Sequence, residues 1–162
     1  MDRRTTLLAG LSAIGAAVAL SNAAEAEDKN PELTKVHDLL KAHADAMTKH
    51  DLNGVMATFA PKAALMGTGP GELWTTPEQI KEAYKHFFEG FDKGQQDFTY
   101  HQRQGDLGTD MGYLFTSGEI KGKKGGKAFA FPINISITVT KVGGAWKIAG
   151  MHFSNLVSDG AK

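Results

Sequence analysis

No cysteine occurs in the 162-residue chain, arginine appears only at Arg3, Arg4 and Arg103, and 18 lysines plus arginines are balanced by 18 aspartates plus glutamates. The missing thiol removes disulfide scaffolds, thiolate nucleophiles and thiolate metal ligands from consideration. Zero formal charge without a basic stripe excludes a surface of the kind that holds a nucleic-acid backbone. Acidic tails and long runs of one charge are missing too, as are a Ser-His-Asp order, a phosphate loop and a dinucleotide fingerprint. What is there is 41% hydrophobic residues, enough chain for one compact domain and too little for two large ones.

The first residues pair Arg3 with Arg4 ahead of an apolar run from Leu7 to Leu20, and Ala24-Glu25-Ala26 supplies a small-x-small cleavage site. This is the pattern of an export signal, with the cut expected after Ala26. The run falls short of the ~20 residues that a membrane-spanning helix needs. Arg3-Arg4 followed by Thr5-Thr6-Leu7-Leu8 partly matches a twin-arginine signal, although Thr6 stands where that motif prefers phenylalanine, so ordinary secretion stays open. Both routes lead to the periplasm or the exterior of a bacterial cell. Removal of Asp2, Arg3, Arg4 and Glu25 leaves 16 charges of each sign, so residues 27–162 read as one neutral domain with no stable membrane insertion.

Asn30-Pro31-Glu32 reads as a helix start, and Leu33, Val36, Leu40 and Met47 continue an apolar stripe to near His50. Asp51 caps a second, short helix running through Val55, Met56 and Phe59 until Pro61 stops it. Lys62 to Met66 reads as a strand, followed by the flexible loop Gly67-Thr68-Gly69-Pro70-Gly71. Thr76-Pro77-Glu78-Gln79 fits a capping box that opens a third helix bearing Ile80, Tyr84, Phe87, Phe88 and Phe91, ended by Gly90 and Gly94. From there the period changes to two. Gln96–Gln104, Met111–Ile120, Lys127–Lys141 and Ala145–Val157 are four expected strands, joined by short glycine-rich turns that force antiparallel neighbours. The predicted fold is α+β, a bent sheet with its helices gathered on one face. Along the third of these strands Phe129, Phe131, Ile133, Ile135, Ile137 and Val139 alternate with small, moderately polar residues. Both faces are therefore expected to be partly covered, the second most simply by another copy in a homodimer.

Three segments, Ala46-Met47-Thr48-Lys49-His50-Asp51-Leu52, Phe59-Ala60-Pro61-Lys62-Ala63 and Trp146-Lys147-Ile148-Ala149-Gly150-Met151-His152-Phe153-Ser154, carry a resemblance across residues 31–157. In order and spacing they are similar to the SnoaL-like branch of the nuclear transport factor 2-like superfamily. The closing motif is also similar to the end of the association domain of calcium/calmodulin-dependent kinases. The resemblance implies a cone-shaped curved antiparallel sheet with three helices, usually dimeric, around one pocket. Function does not follow, because such folds serve isomerases, cyclases, dehydratases, binding modules and assembly domains. Isomerase-type relatives carry a general-base aspartate just after the first strand, and the matching stretch here, Ala64-Leu65-Met66-Gly67-Thr68, holds no carboxylate.

His152 is the first candidate for a functional residue. Strand alternation places it with Trp146, Ile148, Gly150 and Ser154 on one face, and an imidazole among apolar neighbours can change charge near neutral pH. A structural histidine bonded to a backbone carbonyl is the competing reading. Asn134, where SnoaL-like relatives often carry arginine, could offer a hydrogen bond together with Ser136. Glu72 and Trp74 follow the glycine-rich loop where a pocket mouth is expected; Trp74 could equally plug the cone. His43 shares the inward stripe of the first helix, whereas His37 and His50 read as solvated and Asp45 as a surface charge. Tyr113 joins the possible ligand contacts, although Tyr84, Phe87, Phe88, Tyr100, Tyr113 and Phe115 all read first as core. Arg103 could anchor an anion or be an ordinary exposed strand-end residue, and Lys121, Lys123, Lys124 and Lys127 read as a solvated hairpin tip. No spacing suggests a metal site or a cofactor. The leading expectation is an exported protein whose cone pocket binds a small, mostly apolar molecule. The alternatives are an isomerase, cyclase or dehydratase using His152 as acid or base with Ser154 or Glu72, and a ring-forming assembly module.

Overall fold

The computed structural model describes residues 30–94 and 97–155. The segment read above as an export signal, Gln96 and the last residues of the expected final strand, Leu156 and Val157, lie outside them. Helix α1 spans Pro31–Lys49. It ends with His50 in the left-handed region (φ 53°), its N–H bonding Met47 O at 3.1 Å while Asp51 N–H bonds Ala46 O at 2.9 Å. These two bonds close the helix as a Schellman motif. The Asp51 side chain accepts from Gly54 N–H at 2.9 Å and so caps α2, Leu52–Thr58.

Helix α2 stops sooner than expected. Phe59 and Ala60 already belong to strand β1, Phe59–Met66, because proline disfavours helix at the residue before it and Phe59 pairs with Ile148. After the glycine loop comes a two-residue strand that the pattern did not suggest, β2, Leu73–Trp74. Helix α3 is Pro77–Gly90, opened by the expected capping box; Phe91, read as helical, is already extended.

Strands β3 (Asp97–Leu107), β4 (Met111–Lys124), β5 (Lys127–Val142) and β6 (Ala145–Asn155) follow. The β4–β5 hairpin is longer than expected. Its turn is only Gly125-Gly126, with φ of 57° and 76°, so Lys121, Lys123 and Lys124 lie in a strand; two positive φ values in a two-residue turn match the twist of the flanking strands. No helix among the described residues is long and apolar enough to cross a membrane.

The six strands form one open sheet in the order β2-β1-β6-β5-β4-β3. β3 to β6 are the antiparallel meander read from the turns, whereas β1 joins β6 in parallel. Helices cover one face. There Val55, Ile80 and Ile148 are fully buried with Ala63, Leu65, Tyr84 and Met151. A second cluster of Val36, Val139 and Trp146 fastens the start of α1. Trp146 Nε1 donates to Glu32 at 2.8 Å, and Lys141 pairs with the same carboxylate at 2.8 Å while lying over the indole.

One irregularity decides which way the site residues point. Thr138 pairs with Gly150 but Val139 pairs with Ile148, leaving Ala149 as an extra residue. Such a bulge exchanges the two faces of a strand. Trp146 and Ile148 therefore face the helices, and beyond the bulge Met151 takes over that role. His152, expected beside Trp146 and Ile148, points to the opposite, uncovered face.

Candidate functional site

Inter-strand pairing arranges the uncovered face in rows. Gln104, Phe115, Ser136, His152, Met66 and Leu73 form one row, read in register from β3 across to β2. Asp106, Tyr113, Thr138, Gly150 and Ala64 form the next, and Gln102, Ser117, Asn134 and Ser154 a third. Strand alternation sends all of these side chains to one face. Two reliefs result. On β4, Tyr113 and Phe115 stand as a ridge with ring centroids 5.2 Å apart. On β5, β6, β1 and β2 a shallow open groove of about 290 Å³ is lined by Ala64, Met66, Leu73, Ser136, Thr138, Gly150, Met151 and His152. Gly150 floors it, since an added Cβ would meet nothing nearer than 3.9 Å.

The covered face holds a separate polar system. Thr58 Oγ1 donates to Val55 O at 2.6 Å. Its hydrogen is thereby committed, so His43 Nδ1–H donates to the Thr58 hydroxyl at 2.9 Å, leaving Nε2 to accept from the Tyr84 hydroxyl at 3.2 Å. The chain fixes one neutral tautomer. Burial pushes His43 down to about 4 and raises the Tyr84 hydroxyl far above its ordinary range, since neither charged form is solvated there. Phe59 and Tyr84 pack edge-on against the His43 ring, with centroids 5.5 and 5.7 Å away.

The residues singled out from the sequence separate into three places. His152, Asn134, Ser154 and Tyr113 share the uncovered face; His43 and Trp74 lie on the helix side, Trp74 half-buried against the core. Glu72 is turned back into its own loop, where its carboxylate accepts from Gly69 N–H at 2.8 Å. Gly67 permits this fold-back, because a Cβ there would stand 2.2 Å from that carboxylate. His50 is not solvated as expected. Its ring stacks on Phe88 at 4.5 Å, and its shielded Nε2 has no hydrogen-bond partner among the described residues. Arg103 is exposed mid-strand, 5.9 Å from the Tyr100 ring centroid, and Asp45 is an exposed partner of Lys41. The reading of residues one by one missed Met66 and Leu73 as groove walls and Thr58 as the anchor of His43. Period-two alternation marks Met66 as opposite in face to Leu65, but only the β1–β6 pairing brings it to His152.

A six-stranded open sheet with three helices on one face and a partly apolar groove on the other defines an α+β roll of the nuclear transport factor 2-like kind. The family model described as a SnoaL-like domain matches residues 36–158, and the chain belongs to that family. Among solved structures it is similar to a ketosteroid isomerase-like protein from Erwinia carotovora atroseptica, with 21% identity, TM-score 0.62, and 79% of this chain and 98% of that one covered. A nuclear transport factor 2-like protein of unknown function from Pseudomonas putida gives 15% identity and TM-score 0.65 over 88% and 94% of the two chains. A cystatin-like-fold protein of unknown function from Nostoc punctiforme gives 14% and 0.61 over 77% and 91%. At these identities the likeness is one of fold. No curated protein matches the sequence.

Proposed function

We propose that the protein binds a small, mostly apolar molecule in the groove around His152, and that it does so outside the cytoplasm. The observation that carries this reading is the composition of the groove: Met66, Leu73, Ala64 and Gly150 give apolar walls, while His152, Ser136 and Thr138 supply a few polar groups from one side. Binding sites generally combine an apolar lining with a small number of placed polar groups. The groove is chosen over the interior of the cone because His43, Thr58 and Tyr84 already satisfy one another there among packed side chains. The paired arginines, apolar run and Ala24-Glu25-Ala26 site support export.

An acid–base role for His152 has less support. No hydrogen bond or ion pair joins its ring to another described residue, and its partners across β1 and β5 are Met66 and Ser136, so no carboxylate orients it. The test is titration of the full chain, made with its own leader, with the neutral fluorophore N-phenyl-1-naphthylamine. Saturable binding is expected for the wild type, a weaker one for His152→Ala, and loss for Gly150→Val, which fills the groove floor where a Cβ fits without strain. Equal binding by all three would refute the assignment.

A further inference from the structure

The outer end of the β4–β5 hairpin is held by something other than the sheet. Beyond Lys121 on β4 and Ile133 on β5, no third strand pairs with it among the described residues. Its tip is gripped instead by the turn that follows α3. There the Asp92 carboxylate accepts from Gly125 N–H at 2.8 Å and from Gly126 N–H at 2.7 Å, and Asp92 N–H donates to Lys123 O at 3.0 Å. Beside this grip the Phe91 ring meets Phe129 at 5.3 Å, and Phe129 stacks on Phe131. The same turn is tied to the end of α1, where Gly94 N–H donates to Thr48 O at 3.1 Å and the His50 ring bonds the backbone of Asp92. We propose that His50 is the proton sensor of this clamp: when its ring takes up a proton, residues 91–94 release the end of α1 and the hairpin tip together, and the outer hairpin lifts away from α3.

The geometry around the ring makes it sensitive. His50 lies flat on Phe88, with centroids 4.5 Å and planes 7° apart. Its shielded Nε2 has no partner among the described residues, so the bond to Asp92 is made by Nδ1–H and Nε2 carries a lone pair. A proton added there creates an N–H that has no acceptor inside the packed clamp. The imidazolium finds one only by leaving the Phe88 ring, and leaving breaks the bond to Asp92. Phe91 and Phe129 are then uncovered as the hairpin tip loses its hold.

The charges around the ring do not change over the range in which an imidazole titrates. Lys93 opposes protonation and Asp92 favours it, while Lys123 on β4 acts on Asp92. α3 packs the uncharged Phe88 ring against it, and its chain neighbours are the exposed Lys49 and Asp51, the latter engaged with Gly54 N–H. Bonds from Gly126 and Gly125 hold the Asp92 carboxyl below its ordinary range, so it stays ionised. For His50, burial first and Lys93 second outweigh the pull of Asp92 and bring the ring below its ordinary 6.5. The closed clamp therefore binds the proton more weakly than the open one. Closure is fully favoured above pH 6.5 and is lost as the pH falls below it. His43 makes the whole fold sensitive to acid, whereas His50 acts at one end of it.

Amide hydrogen exchange of the full chain, followed residue by residue by NMR at pH 7 and pH 5 and corrected for the intrinsic rate, reads the opening of the clamp. On going to pH 5 the Gly94, Gly125 and Gly126 amides are expected to lose protection together, severalfold and by at most about 25-fold, the ceiling for one proton taken up at the ordinary value. His50→Asn suits the left-handed conformation and carries no titrating proton, so the same amides should show no change between the two pH values, whatever their level of protection. His43→Leu should keep the wild-type response, which separates the clamp from the core histidine. Equal protection of the wild-type tip at pH 7 and pH 5 would overturn the proposal. So would a response that survives in His50→Asn or vanishes in His43→Leu, or a loss at Gly125 and Gly126 without one at Gly94.

Discussion

Replacing His43 by leucine should change the way stability depends on pH more than its value at neutrality. The imidazole is 8% exposed and held neutral by its bonds to Thr58 and Tyr84, with burial bringing it from 6.5 to about 4. The unfolded chain therefore takes up the proton first. Stability from this group is complete above pH 6.5 and is lost as the pH falls toward 4. At 1.36 kcal/mol for each pH unit of difference, the whole effect is about 3 kcal/mol, of which about 2.5 kcal/mol has gone by pH 4.5. His43→Leu removes two neutral hydrogen bonds, but Thr58 keeps its bond to Val55, and the Tyr84 hydroxyl still has Met151 Sδ at 3.8 Å. The expected cost at pH 7 is about 1–2 kcal/mol. The two stability curves should thus cross, the variant becoming the more stable by about 1 kcal/mol near pH 4.5. Urea unfolding followed by tryptophan fluorescence at pH 7, 6, 5 and 4.5 measures the difference directly, and the carboxylates common to both proteins cancel. Parallel curves would refute the argument, because they would mean that His43 takes up its proton equally in the folded and unfolded chains.

Gly118→Ala drives a Cβ to 2.2 Å from Thr99 O and 2.7 Å from the Phe98 ring, so it should cost about 3 kcal/mol and loosen β3 from β4, whereas Gly150→Ala should stay within about 0.5 kcal/mol; thermal melts of the pair decide this. His50→Ala loses the Phe88 stack while keeping a Cβ in the left-handed region, so it should be less stable than His50→Gly by about 1 kcal/mol in the same assay. Glu32, brought from 4.5 to about 2 first by Lys141, then by Lys35 and Trp146, stays ionised in the folded chain as the pH falls below 4.5; its contribution is present above 4.5 and lost toward 2. Glu32→Gln should redden Trp146 emission at neutral pH, and an unchanged spectrum would show that the carboxylate does not hold the indole.

What could be read from the sequence was what neighbouring residues decide together. The Thr76–Gln79 capping box, the Asp51 cap and the glycine pairs at 125–126 and 143–144 are local devices, and each is found where local chemistry puts it. The misreadings are non-local. Phe59 sits in a helix-compatible run and becomes a strand because Ile148, far along the chain, pairs with it. His152 follows the period of Trp146 and Ile148 until Ala149 interrupts the ladder, and nothing about an alanine announces a bulge. Glu72 looked free to meet a ligand because its partner, a backbone N–H in its own loop, carries no side-chain signal. The α+β class survived these errors since it depends on how many helices and strands there are, whereas the site depends on single residues.

The pairing of β1 with β6 also sets a clock. Met66 lies against His152, 86 positions later in the chain, and apart from two-residue β2 no other strand borders β1. At 5–20 residues per second of synthesis, β1 waits on the order of ten seconds for its partner to be made. Through that interval the hydrophobic centre around Val55, Leu65 and Ile80 lacks Ile148 and Met151, so the chain stays short of its native state until its last strand emerges. A chain held back in this way remains unfolded for nearly the whole time it is being translated, which is the state that the unfolded export route of the proposal above would need.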